Sequence, residues 1–248
     1  MWSFLLSVAM LAAVGRACTP TATTVSGKYA PSVVCSGDLV FSDEFDEFDL
    51  EKWQHENTLA GGGFQWYGNN RTNSFTRDGL LFLRPSLTGD QTGNGFLTNG
   101  HLNIEGGAPA DSFRYGRLEV RAKMPAGDWL WPAIWLMPAF NAYGTWPSSG
   151  EIDLTESRGN RDMLSNGVHI GVQEAGSTLH FGPYPDLNAW DRAHWVRRSA
   201  AGYHNSFHNY QLEWTPGMFM PASHLHPLLG STDLSIIRTA SDESMIRQ

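Results

Sequence analysis

Residues 114–124 alternate regularly between apolar and charged positions. Leu118, Val120, Ala122 and Met124 share one parity; Arg117, Glu119, Arg121 and Lys123 share the other. A period of two sends successive side chains to opposite faces, so this stretch predicts a half-buried antiparallel strand. Pro125-Ala126-Gly127-Asp128 turns the chain. Residues 129–137 are nearly all apolar and predict a second strand, with Trp129, Trp131 and Trp135 on one face. The Trp row has two readings. It fills a core, or it forms a platform on which the C–H faces of sugar rings stack.

Shorter strands are predicted at 38–41, 64–67, 80–83, 167–171, 177–181 and 210–214, with a mixed segment at 96–104 interrupted by Asn99-Gly100. Asp78-Gly79 is a hairpin turn, because both residues tolerate positive φ. Gly61-Gly62-Gly63 and Gly106-Gly107-Ala108-Pro109 break the pattern. The acidic run 42–49 lacks the ligand spacing of a calcium loop and reads as a solvated edge with Phe45 and Phe48 turned inward. Residues 231–246 are the only weak helix candidate, and no repeat is evident. With 26 Gly, 13 Pro and 12% aromatic residues, the pattern predicts an all-β sandwich.

Composition then narrows the partners. At 41% hydrophobic and 17% charged, the 248 residues suit one large or two small globular domains. A net charge of −8 argues against nucleic acid or an anionic membrane as partner. Residues 1–17 read as a secretory signal: the apolar run 4–14 is too short to span a bilayer, and Gly15-Arg16-Ala17 offers small residues for cleavage. The mature chain is therefore expected to be secreted. In that compartment Cys18 and Cys35, the only two cysteines, predict one disulfide pinning 19–34; two free thiols is the alternative. Asn70-Arg71-Thr72 is an N-glycosylation acceptor pattern.

Chemistry concentrates in Trp146-Pro147-Ser148-Ser149-Gly150-Glu151-Ile152-Asp153-Leu154-Thr155-Glu156. On a strand, Glu151 and Asp153 share a face about 6–7 Å apart. Glu156 has the wrong parity, and a one-residue β-bulge between Asp153 and Glu156 would restore it. Three carboxylates on one concave face suit a retaining glycosidase. One glutamate stays ionised to attack, the other keeps a proton for the leaving oxygen, and the middle Asp holds their protonation states apart. The competing reading is an acidic surface loop. No metal and no cofactor is called for.

Trp131-Pro132-Ala133-Ile134-Trp135-Leu136 followed by Gly150-Glu151-Ile152-Asp153-Leu154-Thr155-Glu156 resembles family-16 glycoside hydrolases. More narrowly it resembles the laminarinase branch and the invertebrate β-1,3-glucan recognition proteins, also called Gram-negative bacteria-binding proteins. The resemblance runs from about residue 18 to 216. It implies a concanavalin-like β-jelly roll with a concave glycan cleft, and hydrolysis of internal β-1,3-glucosidic bonds with retention. It implies Glu151 as nucleophile, Asp153 as assisting acid and Glu156 as acid/base. Trp131, Trp135 and Trp146 match sugar-stacking tryptophans; Asn73 and His169 match polar residues near the cleaved bond. The alternative for His169 is an ordinary strand histidine. The implied partner is a laminarin- or curdlan-like β-1,3-glucan, serving digestion or antifungal defence. In a non-catalytic recognition protein of innate immunity, immune proteases would be partners too.

The sequence departs from that pattern in three places. Residues before Phe64 are fewer, the 107–113 connection is short, and 217–248 resembles none of the strands expected after Glu213-Trp214-Thr215-Pro216. The expectation is an incomplete sandwich over 18–216 with a divergent tail at 217–248. Unpaired edges would then make this chain fold poorly or act as an inactive isoform.

Overall fold

The computed structural model describes residues 17–27, 30–55, 65–88, 96–99, 102–104 and 112–216. The expected signal at 1–17 lies outside them except for Ala17. The tail 217–248 and its helix candidate, and the glycine turns at 61–63 and 106–109, lie outside them as well. The chain forms two compact units, residues 1–111 and 112–248. Among the described residues the regular structure is strand plus two short 3-10 turns, as the turn-rich, alternating sequence predicts.

The first unit holds β1 (Thr24–Ser26), β2 (Trp53–His55), β3 (Gln65–Tyr67), β4 (Ser74–Arg77), β5 (Leu80–Leu83), β6 (Ser86–Thr88), β7 (Phe96–Asn99) and β8 (Leu102–Ile104). Antiparallel β4 and β5 meet at Asp78 (φ 54°) and Gly79 (φ 69°), the left-handed pair of a tight hairpin. The mixed 96–104 segment resolves into β7 and β8; β7 pairs with β3 and β6, and β8 pairs with β2. The Cys18–Cys35 disulfide is formed, with Cα atoms 5.2 Å apart. Phe45 and Phe48 turn inward, onto the rings of Trp53 and His55. The strand expected at 38–41 is absent, and Leu39 is exposed. A short apolar run with no partner strand among the described residues has nothing to hold it extended.

The second unit holds β9 (Ser112–Arg114), β10 (Gly116–Ala122), β11 (Ala133–Leu136), β12 (Glu151–Ser157), β13 (Leu164–Ser165), β14 (Val168–His169), β15 (Glu174–His180), β16 (His194–Arg198) and β17 (His208–Trp214). The alternating strand is β10, antiparallel to β17 in unbroken register from Gly116↔Trp214 to Ala122↔His208. The sheet that carries the acids runs β11-β12-β15-β16. Its inner face and the β10–β17 ladder enclose a core of Ile152, Leu154, Leu179, Ala193 and Leu212, with Leu118, Ile134, Leu136, Phe181 and Trp214 packed around them; a second cluster gathers Met124, Ala175, Tyr203 and Tyr210. Leu154 is completely buried in the first of these. Leu154→Ala is expected to cost about 2–5 kcal/mol, read as a lowered denaturant midpoint at unchanged slope.

The Trp row is corrected. The strand begins only at Ala133. Trp129 takes a left-handed backbone (φ 69°) and is 87% exposed, and Trp131 precedes Pro132 outside the ladder. The preceding turn, where Leu130 N–H donates to Gly127 O, runs on through Trp129 and delays the start of the strand. Neither indole fills a core.

Candidate active site

The bulge expected from the parity of Glu156 is present. Asp153 faces Thr178 on β15 while Glu156 faces Gly176, so three residue steps on β12 span two on β15. The opposite edge shows the same slip: Trp135 faces Asp153 and Ile134 faces Thr155. A bulge interrupts the ladder and would orphan a buried carbonyl. Here the Ser177 hydroxyl donates to Leu154 O at 2.6 Å. The consequence is a sorting of side chains. Ile152 and Leu154 join the core, and Glu151, Asp153 and Glu156 share the other face.

Chain entry to β12 is tight. Trp146–Pro147 is cis, Pro147 is among the most deeply buried residues, and Gly150 turns the backbone at φ 89°. Trp146 Nε1 donates to Glu151 Oε2 at 2.5 Å, and Trp131 Nε1 donates to Glu156 Oε1 at 2.9 Å. Each outer acid therefore has its own indole. Trp131 is 74% exposed, so its ring face stays open to a ligand. Trp135 is half-buried and opposite Asp153.

Electrostatics separate the three acids. Burial, then the neighbouring Asp153 charge, lifts Glu156 from 4.5 to about 7 against the opposing pull of the Trp131 hydrogen bond. Glu151 is raised by burial and by Asp153, with the Trp146 N–H favouring its ionised form. Asp153 is buried at the centre. Removing the donor in Trp131→Phe takes away a stabiliser of the Glu156 carboxylate. Its pKa rises, and the alkaline limb of any Glu156-dependent activity should move to higher pH by up to about one unit, measured as kcat/KM against pH.

A histidine completes the cluster, and it is His180 at the end of β15. In register it stands opposite Glu151. Its Nε2 lies 3.2 Å from Asp153 Oδ2, and its ring is tilted against Trp146 at 5.6 Å. The contact is close but not in line, for Oδ2 has no aligned hydrogen-bond partner. The Asp153 contact raises the His180 pKa while burial opposes it. Glu151, Asp153 and His180 each offer an atom within 4.8 Å of the others, which is also metal-ligand spacing.

His169 lies elsewhere in the same unit, exposed on β14 and opposite Leu164. Asn73, in the first unit, is buried; its amide donates to Arg84 O at 2.8 Å and to Ser86 Oγ at 2.9 Å. Asn70 is exposed, and its Oδ1 accepts from the Thr72 hydroxyl and backbone N–H. His180 was within reach of sequence reasoning: it shares parity with Thr178 on the predicted 177–181 strand. Only the cross-strand register reveals that this face meets the acids.

The profile of glycosyl hydrolases family 16 matches residues 103–219. The chain is 39% identical over 254 residues to the beta-1,3-glucan-binding protein of Penaeus monodon, covering 87% of this chain and 66% of that one. It is 34% identical over 183 residues to a glucan endo-1,3-beta-glucosidase of Cryptopygus antarcticus, covering 72% and 63%. The X-ray structure of the laminarinase from Rhodothermus marinus superposes with a TM-score of 0.59 at 29% identity, covering 72% of this chain and 68% of that one. The chain resembles glycoside hydrolase family 16 in sequence and has the jelly-roll fold of its laminarinases. It is similar to both the glucanases and the glucan-binding proteins, and spans less than two thirds of the length of these two curated relatives.

Proposed function

We propose that this site hydrolyses internal β-1,3-glucosidic bonds of a β-glucan with retention of configuration, outside the cell. The observation that supports it is the bulge: it brings Glu156 to the face of Glu151 and Asp153, in surroundings that keep Glu156 protonated to about 7. The Glu151 carboxylate attacks the anomeric carbon. As the glycosidic C–O bond breaks, Glu156 gives its proton to the departing oxygen. Water then attacks the anomeric carbon of the glycosyl ester and gives a proton to Glu156, and the C–O bond to Glu151 breaks to free its carboxylate. Asp153, between the two, raises both glutamates by its charge.

Trp131, Trp135 and Trp146 would stack sugar rings on either side of the cleaved bond. A sugar contact for Asn73 or His169 rests on resemblance alone. The domain is taken as 18–216, and the disulfide suits an oxidising, extracellular setting. Among the described residues no helix is long and apolar enough to cross a membrane.

A second reading is a recognition protein that binds β-1,3-glucan without cutting it and passes the signal to immune proteases. The name of the Penaeus monodon relative favours it; the intact acid set favours the hydrolase. The deciding experiment incubates the chain with laminarin, follows reducing ends, and reads the first-formed anomer by proton NMR. Appearance of the β-anomer supports the proposal. Binding to insoluble curdlan with no reducing ends supports recognition.

A further inference from the structure

We infer that Asn188 is a positioning residue: its side-chain amide holds His180 as the tautomer that carries hydrogen on Nε2, so the ring faces Asp153 as a donor and not as a metal ligand. Asn188 sits at the end of the 3-10 turn Pro185–Leu187, in a loop that leaves β15 and returns beside it. The loop is closed by Ala189 N–H donating to Phe181 O at 2.8 Å and Asn188 N–H donating to Pro185 O at 3.1 Å. Gly182 makes the closure possible: at φ 150°, a Cβ there would lie 2.2 Å from Leu187 O.

Closed in this way, the loop fixes which end of the Asn188 amide meets the ring. Phe181 N–H donates to Asn188 Oδ1 at 3.3 Å, and Asn188 Nδ2 lies 2.8 Å from His180 Nδ1. Reversing the amide would set its NH₂ against the Phe181 N–H. Nδ2 is therefore the donor and His180 Nδ1 the acceptor. An Nδ1 that accepts has no proton, so a neutral ring carries its hydrogen on Nε2, the atom 3.2 Å from Asp153 Oδ2. Histidines that ligate metal through Nε2 need a lone pair there and an acceptor at the other nitrogen. Asn188 presents the opposite. The 4.8 Å cluster of Glu151, Asp153 and His180 thus has the spacing of a metal site and the wrong proton on its histidine.

The charged groups facing His180 are Asp153, Glu151 and Glu156, and all three favour an imidazolium. A second proton at Nδ1 would set N–H against N–H at Asn188, so the amide opposes them. The acids prevail in direction and hold the His180 pKa above its ordinary value; whenever the ring is neutral, the amide leaves its hydrogen on Nε2, toward Asp153. The His180 charge pulls the Glu156 pKa down, and burial and Asp153 still lift it to about 7 against that pull.

The test reads the ring directly and needs no turnover. The ¹⁵N-labelled full chain is titrated from pH 5 to 8, following the imidazole nitrogens of His180, assigned by their loss in His180→Gln. Once the ring has lost its second proton, the expected spectrum has Nε2 protonated and Nδ1 unprotonated. Asn188→Asp, which offers an acceptor, should keep the ring doubly protonated to a higher pH than in the wild-type chain. Addition of Zn²⁺ alone should leave the wild-type His180 signals in place. A neutral wild-type ring with its hydrogen on Nδ1 overturns the inference, as does Zn²⁺ bound through Nε2, or an unchanged His180 titration in a folded Asn188→Asp. Loss of laminarin hydrolysis with the Nε2–H signature intact would instead count against the hydrolase proposal.

Discussion

Glu151→Gln should reduce laminarin hydrolysis by about 10³-fold or more in kcat/KM, roughly 4 kcal/mol of transition-state stabilisation. The same variant should keep its binding to curdlan. The substitution removes one oxygen lone-pair set and one charge and little else. The amide oxygen can still accept from Trp146 Nε1, which now reaches Glu151 at 2.5 Å, so the indole that borders the cleft stays put. Loss of the charge also relieves a half-buried carboxylate beside Asp153, and the fold should not weaken. A Gln cannot form the glycosyl ester, and that alone stops turnover. Reducing-end assays and curdlan pull-down on the same preparations check both halves. Hydrolysis within tenfold of wild type would remove Glu151 from the nucleophile's role. Joint loss of hydrolysis and binding would make it a residue that supports the cleft.

Much of this site was legible before the structure, and the reason is parity. A strand has a strict period of two, so Glu156 could join Glu151 and Asp153 only through an inserted residue, and the insertion lies between Asp153 and Glu156. The alternation in 114–124 was legible for the same reason. What escaped depends on distance in sequence. His180 reaches the acids through the β12–β15 register, 29 positions from Glu151 in the numbering, and Asn188 reaches His180 through a loop closed at a glycine. No local pattern encodes either. Trp129 shows the converse failure: its parity with Trp135 is real, but parity has meaning only inside a strand, and the strand starts at Ala133. Residues 38–41 form no strand because a short apolar run needs a partner to bond before it is held extended.

Glu156→Gln should give an enzyme that is less active and more stable above pH 7, and both effects come from one proton. In the folded chain Glu156 holds its proton to about 7, against 4.5 for an unperturbed glutamate. Between those values the folded state binds more protons than the unfolded state. Stability therefore falls as pH rises through this window, is full below it and lowest above it. Gln has no proton to lose and escapes the penalty. The expected gain above pH 7 is about 1–2 kcal/mol, after allowing for the part of the carboxyl that water still screens, and it should vanish below pH 4. Thermal unfolding at the two pH values checks this sign. The activity limb follows from the same group. Wild-type kcat/KM should fall tenfold per unit above about pH 7 as the acid form is lost, and fall again at low pH as Glu151 takes up a proton at a value raised above 4.5. These limbs belong to the coupled cluster and not to either residue alone. Glu156→Gln should cost about 10²–10⁴-fold on laminarin, and less on an aryl glucoside whose leaving group departs without a proton. A variant that loses activity equally on both substrates, with no gain in stability above pH 7, would mean that Glu156 is not the proton donor.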